Sequence, residues 1–181
     1  HDEREPVSIT LPVNNPAHVE PRWGRYVAGV LSELHKLGID IPGFTGEINT
    51  TLPIGSGLSS SAALEVAIAR AALDIANRQM SDTDIALLCQ RAEHIASGVP
   101  CGIMDQFSSV FGKPGELMLL DCSSQEITPV SFDNDDVSVL ITNSNVKHEL
   151  TGGEYAQRRR QCESALQAIG KSSWRDVTRE D

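Results

Sequence analysis

Aromatic and basic residues are both scarce in this chain of 181 residues. Phe, Trp and Tyr make up only 4% of the sequence although 40% is hydrophobic, so we expect an aliphatic, alanine-rich core in one compact domain. Only 15 Lys and Arg accompany 25 Asp and Glu, which gives a net charge of −10. Because phosphate-rich surfaces repel so acidic a chain, neither nucleic acid nor an anionic membrane is expected as a partner.

Cysteine pairs, targeting signals and long apolar runs are also absent. The 4 cysteines form no C-x-x-C pair and no metal-like spacing, which favours reduced thiols in the cytoplasm over a disulfide framework. The sequence contains no signal peptide and no apolar run of about 18 residues, so it predicts no membrane span. It also lacks an initiating Met, and we expect an internal fragment of a longer protein.

Glycine and serine, in contrast, are concentrated in the segment 52–63, LPIGSGLSSSAA. A β-like run, residues 46–52, enters this segment, and a long apolar helix leaves it. Glycines let backbone N–H groups converge, hydroxyls add donors, and a helix start adds the positive end of its dipole. The segment therefore predicts an anion cradle, most often for phosphate. Its glycines and serines are Gly55, Ser56, Gly57, Ser59, Ser60 and Ser61.

Two widespread phosphate loops do not fit this segment. The P-loop requires a lysine after its second glycine, where Leu58 stands. The dinucleotide fingerprint finds Gly55 and Gly57 but has Ser60 in place of its third glycine. A Rossmann dehydrogenase domain stays an alternative that rests on two glycines alone. A simple serine-capped turn needs fewer glycines and hydroxyls than this segment has.

Helix and strand patterns show few strict strand–helix–strand alternations, which favours a two-layer α+β fold over a doubly wound sheet. Helices are predicted from Pro21 to a stop at Gly38, from about Ala62 to Asn77, after Ser81, over 104–111 and over 152–169. Strands are predicted over 7–11, 46–52, 116–121, 126–130 and 137–142. We expect the last of these strands to be the most buried, and the alanines of the second helix to pack closely on a sheet.

Three further side chains are candidates for a site, although each also has a structural interpretation. Trp23 lies at the mouth of the first helix, as an edge core aromatic or as a platform for a flat ring. Glu93 lies beside the apolar stripe of the third helix, where position alone favours a solvated surface acid. Asp105 lies in the first turn of the next helix, where acids cap N-termini.

The run P-x-x-x-G-L-S-S-S-A, residues 53–62, resembles the phosphate-binding motif of the kinases of galactose, homoserine, mevalonate and phosphomevalonate. Three more stretches are similar to the galactokinase branch of this family, and they follow the family order along the chain. These stretches are Pro21-Arg22-Trp23, then Ala92-Glu93-His94 with 98–106, then 142–148 with 154–163. The resemblance implies the two-layer N-terminal-lobe fold of that superfamily, which is like domain 2 of ribosomal protein S5.

The resemblance also implies an activity, the transfer of the ATP γ-phosphate to the C1 hydroxyl of galactose. Backbone N–H groups of the loop formed by Gly55, Ser56, Gly57, Leu58, Ser59, Ser60 and Ser61 would hold the ATP phosphates. Trp23 would stack near the adenine, and Ser61 with Glu93 would hold Mg²⁺. The whole protein would be a cytoplasmic monomer.

On the sugar side, Asp105 would meet the hydroxyl as a general base or as an electrostatic partner. Gly102 and Tyr155 would contact the sugar, with Asn143 and Lys147 as further neighbours. Two family segments have no match here, the N-terminal G-R-x-N-[LI]-x-G-E-H-x-D-Y and the C-terminal G-G-G-F-G-G. We therefore expect residues 1–181 to form most of the N-terminal lobe, with the connection to a C-terminal lobe beginning near 143–181. We expect the piece alone to have little activity.

Two alternatives within the same family stay open. One is a kinase for N-acetylgalactosamine or another sugar, although the intact run 101–106 favours galactose. The other is a non-catalytic galactose sensor that binds a transcriptional repressor. In such sensors the phosphate-binding motif lacks the Ser-Ala pair that follows its serines. Here the motif is complete, with Ser61 and Ala62 both present, which favours an enzyme.

Overall fold

The computed structural model describes residues 5–132, 136–143 and 153–180, so the predicted sugar neighbour Lys147 lies outside the described residues. Five α-helices form in this part of the chain: α1 (Gly24–Lys36), α2 (Ser60–Ile75), α3 (Asp82–Ser97), α4 (Met104–Phe111) and α5 (Gly153–Ala168). The strands are β1 (Glu116–Leu120) and β2 (Ile127–Ser131), and short 3₁₀ turns lie at Pro16–His18 and Trp174–Asp176. None of the helices in these ranges is both long and apolar enough to span a membrane.

The predicted helix boundaries have local chemical causes. α1 ends just before Gly38, whose φ of +72° is the left-handed conformation that a Cβ disfavours. α3 begins after Ser81, because the Ser81 hydroxyl accepts a hydrogen bond from the backbone N–H of Asp84 at 3.1 Å. It ends at Gly98, which has a φ of +73°. The end of α1 and the start of α3 are within two residues of the sequence predictions.

Helices α1 to α4 pack against one another around an aliphatic core. Leu34 of α1 and Leu88 of α3 are completely buried in it, as the spacing of apolar residues predicts. α2 contacts α1, α3 and α4, so in the described residues its alanines pack on helices. The expectation that they pack on a sheet is wrong. The small residues serve close helix–helix contact instead, and the α2 face with Arg70 and Asp74 is exposed.

The two strands form an antiparallel hairpin, in which Leu117 pairs with Val130. The inner residues of the hairpin pack on a second apolar cluster built around Phe107 of α4. This packing fixes the hairpin against the end of α4. The α+β fold class is confirmed, since helices and a small antiparallel sheet form separate layers.

Three predicted strands, over 7–11, 46–52 and 137–142, do not form in the structure. They have no regular secondary structure, and no strand of the described residues pairs with them. A strand needs a neighbour to take up its N–H and C=O groups, so an alternating pattern alone is not sufficient. The run 137–142 was expected to be the most buried strand, yet Leu140 is 89% exposed.

The last predicted helix forms as α5, but its expected inward face is not covered. Tyr155 is 49% exposed and Cys162 is also exposed. In the described residues, the side chains of Tyr155 and Arg159 join α5 to the body of the protein: the Tyr155 hydroxyl accepts a hydrogen bond from the loop 98–103, and Arg159 donates one to it. Its apolar positions therefore have little to pack against within the described residues.

Candidate active site

The glycine- and serine-rich segment forms an exposed loop that leads into α2. Gly55 and Gly57 have φ values of +73° and +77°, a backbone conformation that glycine adopts at little cost. The Ser56 hydroxyl donates to the carbonyl of Pro53 at 2.7 Å, which closes the loop on itself. α2 begins at Ser60 with no side-chain cap, so the N–H groups of its first turn remain available to an anion.

Ser59, the residue just before α2, connects this loop to Asp105. Its hydroxyl donates to Oδ1 of Asp105 at 2.9 Å, although the two residues are 46 positions apart. Asp105 lies in the first turn of α4, as predicted, and is half-buried. The starts of α2 and α4 therefore meet, and the predicted phosphate loop adjoins the predicted catalytic acid.

Glu93 of α3 lies against the start of α2 and is only 6% exposed. Position alone favoured a solvated side chain, so that interpretation is wrong and the residue is buried. Burial raises the pKa of Glu93, while hydrogen bonds donated by Glu65 and by the Ser61 hydroxyl partly offset the rise. The structure thus brings Ser61 and Glu93 into contact, which is the pairing that the resemblance implies.

Sequence reasoning missed two buried residues behind Glu93. Glu65 of α2 is 0% exposed and accepts a hydrogen bond from the Gln106 amide at 3.2 Å. Burial, followed by the charge of Glu93, raises the pKa of Glu65 to about 10, so Glu65 holds a proton and donates it in a hydrogen bond to Glu93. The signal that could have identified it was an acid one turn beyond Ser61, with apolar residues directly before and after it in α2.

The chemistry of this cluster fits a hard divalent cation. Glu93 Oε2 is buried and has no hydrogen-bond partner within the described residues, and the Ser61 hydroxyl touches the same carboxylate. In the described part of the chain, no three His, Cys, Asp or Glu side chains are grouped to enclose a metal. One carboxylate and one hydroxyl suit Mg²⁺, which keeps waters and phosphate oxygens as its remaining ligands.

Gly102 and Tyr155, the two predicted sugar contacts, also lie together. The backbone N–H of Gly102 donates to the Tyr155 hydroxyl at 3.0 Å. Arg159 of α5 donates to the carbonyl of Pro100 at 3.0 Å, and His94 Nε2 contacts the carbonyl of Cys101 at 3.0 Å. Helices on both sides therefore hold the loop 98–103 that leads directly into Asp105.

Trp23 and Leu58 lie at the edges of this arrangement. Trp23 packs against the helical core, and its buried indole Nε1 has no partner in the described residues. Tyr26, one turn further along α1, faces the acids, and burial followed by the charge of Glu93 raises its pKa to about 12. Leu58 is half-buried within the loop. The stacking role of Trp23 stays a prediction.

Comparisons with known proteins agree with this geometry. Residues 25–113 match the family described as GHMP kinases N terminal domain. The galactokinase of Homo sapiens is 44% identical over 161 residues, covering 89% of this chain and 41% of that protein. The galactokinase of Thermosipho africanus is 44% identical over 159 residues, covering 88% of this chain and 45% of that protein.

A solved structure of Lactococcus lactis galactokinase in complex with galactose superposes with a TM-score of 0.68 at 26% identity. The match covers 87% of this chain and 41% of that one. The chain thus spans less than half the length of these relatives. Its resemblance to the family is confirmed, since residues 25–113 of the chain match the GHMP kinase N-terminal domain.

Proposed function

We propose that the protein is a galactokinase, which transfers the γ-phosphate of ATP to the C1 hydroxyl of galactose. In this reaction the C1 oxygen attacks the γ-phosphorus, and the bond from phosphorus to the β–γ bridging oxygen breaks. ADP leaves with the electron pair of that bond, and the hydroxyl proton passes to the carboxylate of Asp105. The products are galactose 1-phosphate and ADP.

One observation carries this proposal, namely that a single phosphate-type loop touches two separate acids. Ser59 contacts Asp105 at 2.9 Å, and Ser61, which is two residues after Ser59, contacts Glu93. Phosphoryl transfer needs a bound phosphate, a cation and a proton acceptor in one place, because its catalysis is mainly positioning and charge stabilisation. Because the relatives described above are galactokinases, the similarity supports a sugar as the acceptor of the phosphate.

In the proposed complex the residues divide by task. Backbone N–H groups of residues 55–61 orient the ATP phosphates, and Trp23 stacks near the adenine. Ser61 and Glu93 would hold Mg²⁺, which when bound would supply positive charge to offset that of the ATP phosphates. Gly102 and Tyr155 contact the sugar, and Asp105 faces its C1 hydroxyl.

The direct test is ADP release by the full-length gene product supplied with ATP, Mg²⁺ and a panel of sugars. We expect turnover with galactose well above that with N-acetylgalactosamine or glucose. Faster turnover with another sugar would make the protein a kinase of that sugar. Binding of galactose without phosphorylation of any sugar would identify the non-catalytic sensor instead.

We further propose that the whole protein is a cytoplasmic monomer, of which this chain supplies most of the first lobe. The cysteines of the described residues are free thiols, which suits a reducing compartment. The connection to a second lobe would begin near residues 143–181. Size-exclusion chromatography of the full-length gene product with light scattering would test the monomeric state.

A further inference from the structure

Ser59 does not perform the task that its position usually gives to serine. It is the N-cap residue of α2, and its carbonyl accepts the hydrogen bond from Ala63 N at 3.0 Å. A serine at this position normally turns its hydroxyl back to an N–H of the first turn. Here no such cap forms, and the hydroxyl instead reaches Asp105 on another helix.

The backbone of Ser59 is also in a conformation that disfavours serine. Its φ of 53° and ψ of 35° lie in the left-handed region, where a Cβ is too close to the following carbonyl oxygen. Glycine would adopt this conformation with less strain, as Gly55 and Gly57 do in the same loop. What serine adds over glycine at this position is its hydroxyl group, and that group is bonded to Asp105.

We propose that Ser59 is a positioning residue, which orients the Asp105 carboxylate for proton transfer and links that orientation to the phosphate loop. The inference rests on the proposed kinase function. The hydroxyl engages Oδ1 of Asp105, which leaves Oδ2 to accept the sugar proton. Because a neutral donor bonded to a carboxylate makes a stronger hydrogen bond than a pair of neutral groups, the contact fixes the side chain without cancelling its charge.

The same contact joins the two substrate regions of the site. Ser59 immediately precedes the first turn of α2, whose N–H groups are placed to receive phosphate. Asp105 follows the loop 98–103, which Tyr155 and Arg159 hold through Gly102 and Pro100. Displacement of the loop backbone at Ser59 would therefore displace the proton acceptor as well.

The experiment compares Ser59→Gly with the unsubstituted full-length gene product in the galactose assay. We expect kcat to fall on the order of 10- to 100-fold, the effect of losing one hydrogen bond to a charged group. The KM for ATP should change less than about twofold, because the backbone N–H groups remain. The thermal midpoint should be unchanged or higher by about 2–4 °C, since glycine relieves the left-handed strain.

Ser81→Ala is the matched control, because Ser81 does cap its own helix and lies outside the site. This variant should lose thermal stability and keep its kcat. Ser59→Asn and Ser59→Asp form a second pair, since both residues tolerate the left-handed conformation but only the amide can donate to Asp105. We expect Asn to restore part of the lost kcat and Asp to restore none.

Each outcome decides the matter. A fall in kcat for Ser59→Gly without loss of stability, and with better activity for Asn than for Asp, supports the positioning role. Unchanged kcat in Ser59→Gly, or a fall that parallels a lowered thermal midpoint, overturns it while leaving the kinase function intact. If the unsubstituted protein phosphorylates no sugar, the proposed function itself has failed, and the role of Ser59 fails with it.

Discussion

At the scale of single residues, three carboxyl groups meet beside the start of α2 in different environments. Glu65 is completely buried and protonated, Glu93 is buried with one unpartnered oxygen, and Asp105 is half-buried and bonded to Ser59. Environment rather than residue type therefore separates their tasks. Asp105 is exposed enough to reach a substrate, whereas Glu65 is enclosed and donates a hydrogen bond to Glu93.

The first prediction concerns Asp105. Replacing it with Asn keeps the shape of the side chain but removes the proton acceptor, so kcat in the galactose assay should fall about 10²- to 10⁴-fold. Asp121→Asn makes the same chemical change at the end of β1, where the carboxylate pairs with Arg175, and it should leave kcat unchanged. A loss below about threefold for Asp105→Asn would show that Asp105 acts only by its position near the sugar.

The second prediction concerns Glu65, whose pKa rises from an ordinary 4.5 to about 10 on folding. A group whose pKa is raised by folding contributes fully to the free energy of unfolding below its unfolded pKa. That contribution is lost as the pH rises from the unfolded pKa towards the folded pKa. Glu65→Gln cannot ionise and has no such loss. The free energy of unfolding of the variant minus that of the wild type should therefore be larger at pH 7 than at pH 4, by on the order of 3 kcal/mol.

Urea unfolding of both proteins at several pH values measures this difference. The control is Glu33→Gln, because burial opposes but hydrogen bonds from Lys36 and Arg91 hold the pKa of Glu33 below its ordinary value. That carboxylate stabilises the fold above its unfolded pKa, so its substitution should destabilise the protein at pH 7. Parallel pH dependences for wild type and Glu65→Gln would contradict the protonated state of Glu65.

The residues of the candidate site could be selected from the sequence chiefly through motifs rather than local pattern. The structure places Ser61 beside Glu93 and Gly102 beside Tyr155, while the roles that the resemblance implies for them stay predictions. Periodicity alone assigned Glu93 to the surface, because a residue beside an apolar stripe can face solvent or a second helix. The contacts of Ser59 and Glu65 depend on how helices cross, which local pattern does not specify.

At the scale of elements, helices were predicted better than strands. A helix satisfies its hydrogen bonds within one segment, so α1 and α3 follow directly from their stripes and caps. A strand depends on a second segment, and of the predicted strands only β1 and β2, which a short turn joins, form and pair with each other. The apolar run 137–142 has the composition of a strand but no partner in the described residues.

The third prediction concerns the crossing of α1 and α3. A Cβ added to Gly29 would lie 3.0 Å from the carbonyl oxygen of Ala92 and 3.3 Å from its Cα. Because these are backbone atoms of the residue beside Glu93, Gly29→Ala should force the helices apart and destabilise the protein by about 1–3 kcal/mol. Helix propensity alone predicts the opposite sign, a gain of up to about 1 kcal/mol.

Thermal or urea unfolding of Gly29→Ala shows whether the substitution lowers or raises the free energy of unfolding. The double variant with Ala92→Gly serves as the control, since it removes the Cβ of Ala92 that lies 3.2 Å from the added methyl. A favourable coupling energy between the two substitutions is expected from a double-mutant cycle. A more stable single variant would mean that the helices can separate at little cost.

At the scale of the whole molecule, the described chain brings the predicted phosphate loop together with two acids and leaves much apolar surface uncovered. Leu119 of β1 and the residues Val139, Leu140 and Ile141 are all exposed. Large exposed apolar side chains in such number are typical of surfaces that another segment or partner covers. The relatives are more than twice as long as the matched region, so they have additional segments that could do so.

The fourth prediction compares the isolated chain of 181 residues with the full-length gene product. The chain has no match to the two family segments named above and spans less than half the length of its relatives, so we expect its site to be incomplete. Its rate of ADP release with galactose should therefore be at least about 100-fold lower, the loss expected when transition-state contacts are missing. Near-normal turnover by the isolated chain would show that the loop and its two acids are sufficient.

The attachment of α5 has a consequence for the order in which the protein opens. Tyr155 and Arg159 join α5 to the loop 98–103 by hydrogen bonds of 3.0 Å each, and most of its described side chains are exposed. Breaking these two bonds costs far less than unfolding the helical core, so α5 should exchange its amide hydrogens with solvent through a separate, low-energy opening. Each such opening would also release Gly102, so the proposed sugar contacts would come apart and re-form many times while the predicted phosphate loop stays assembled.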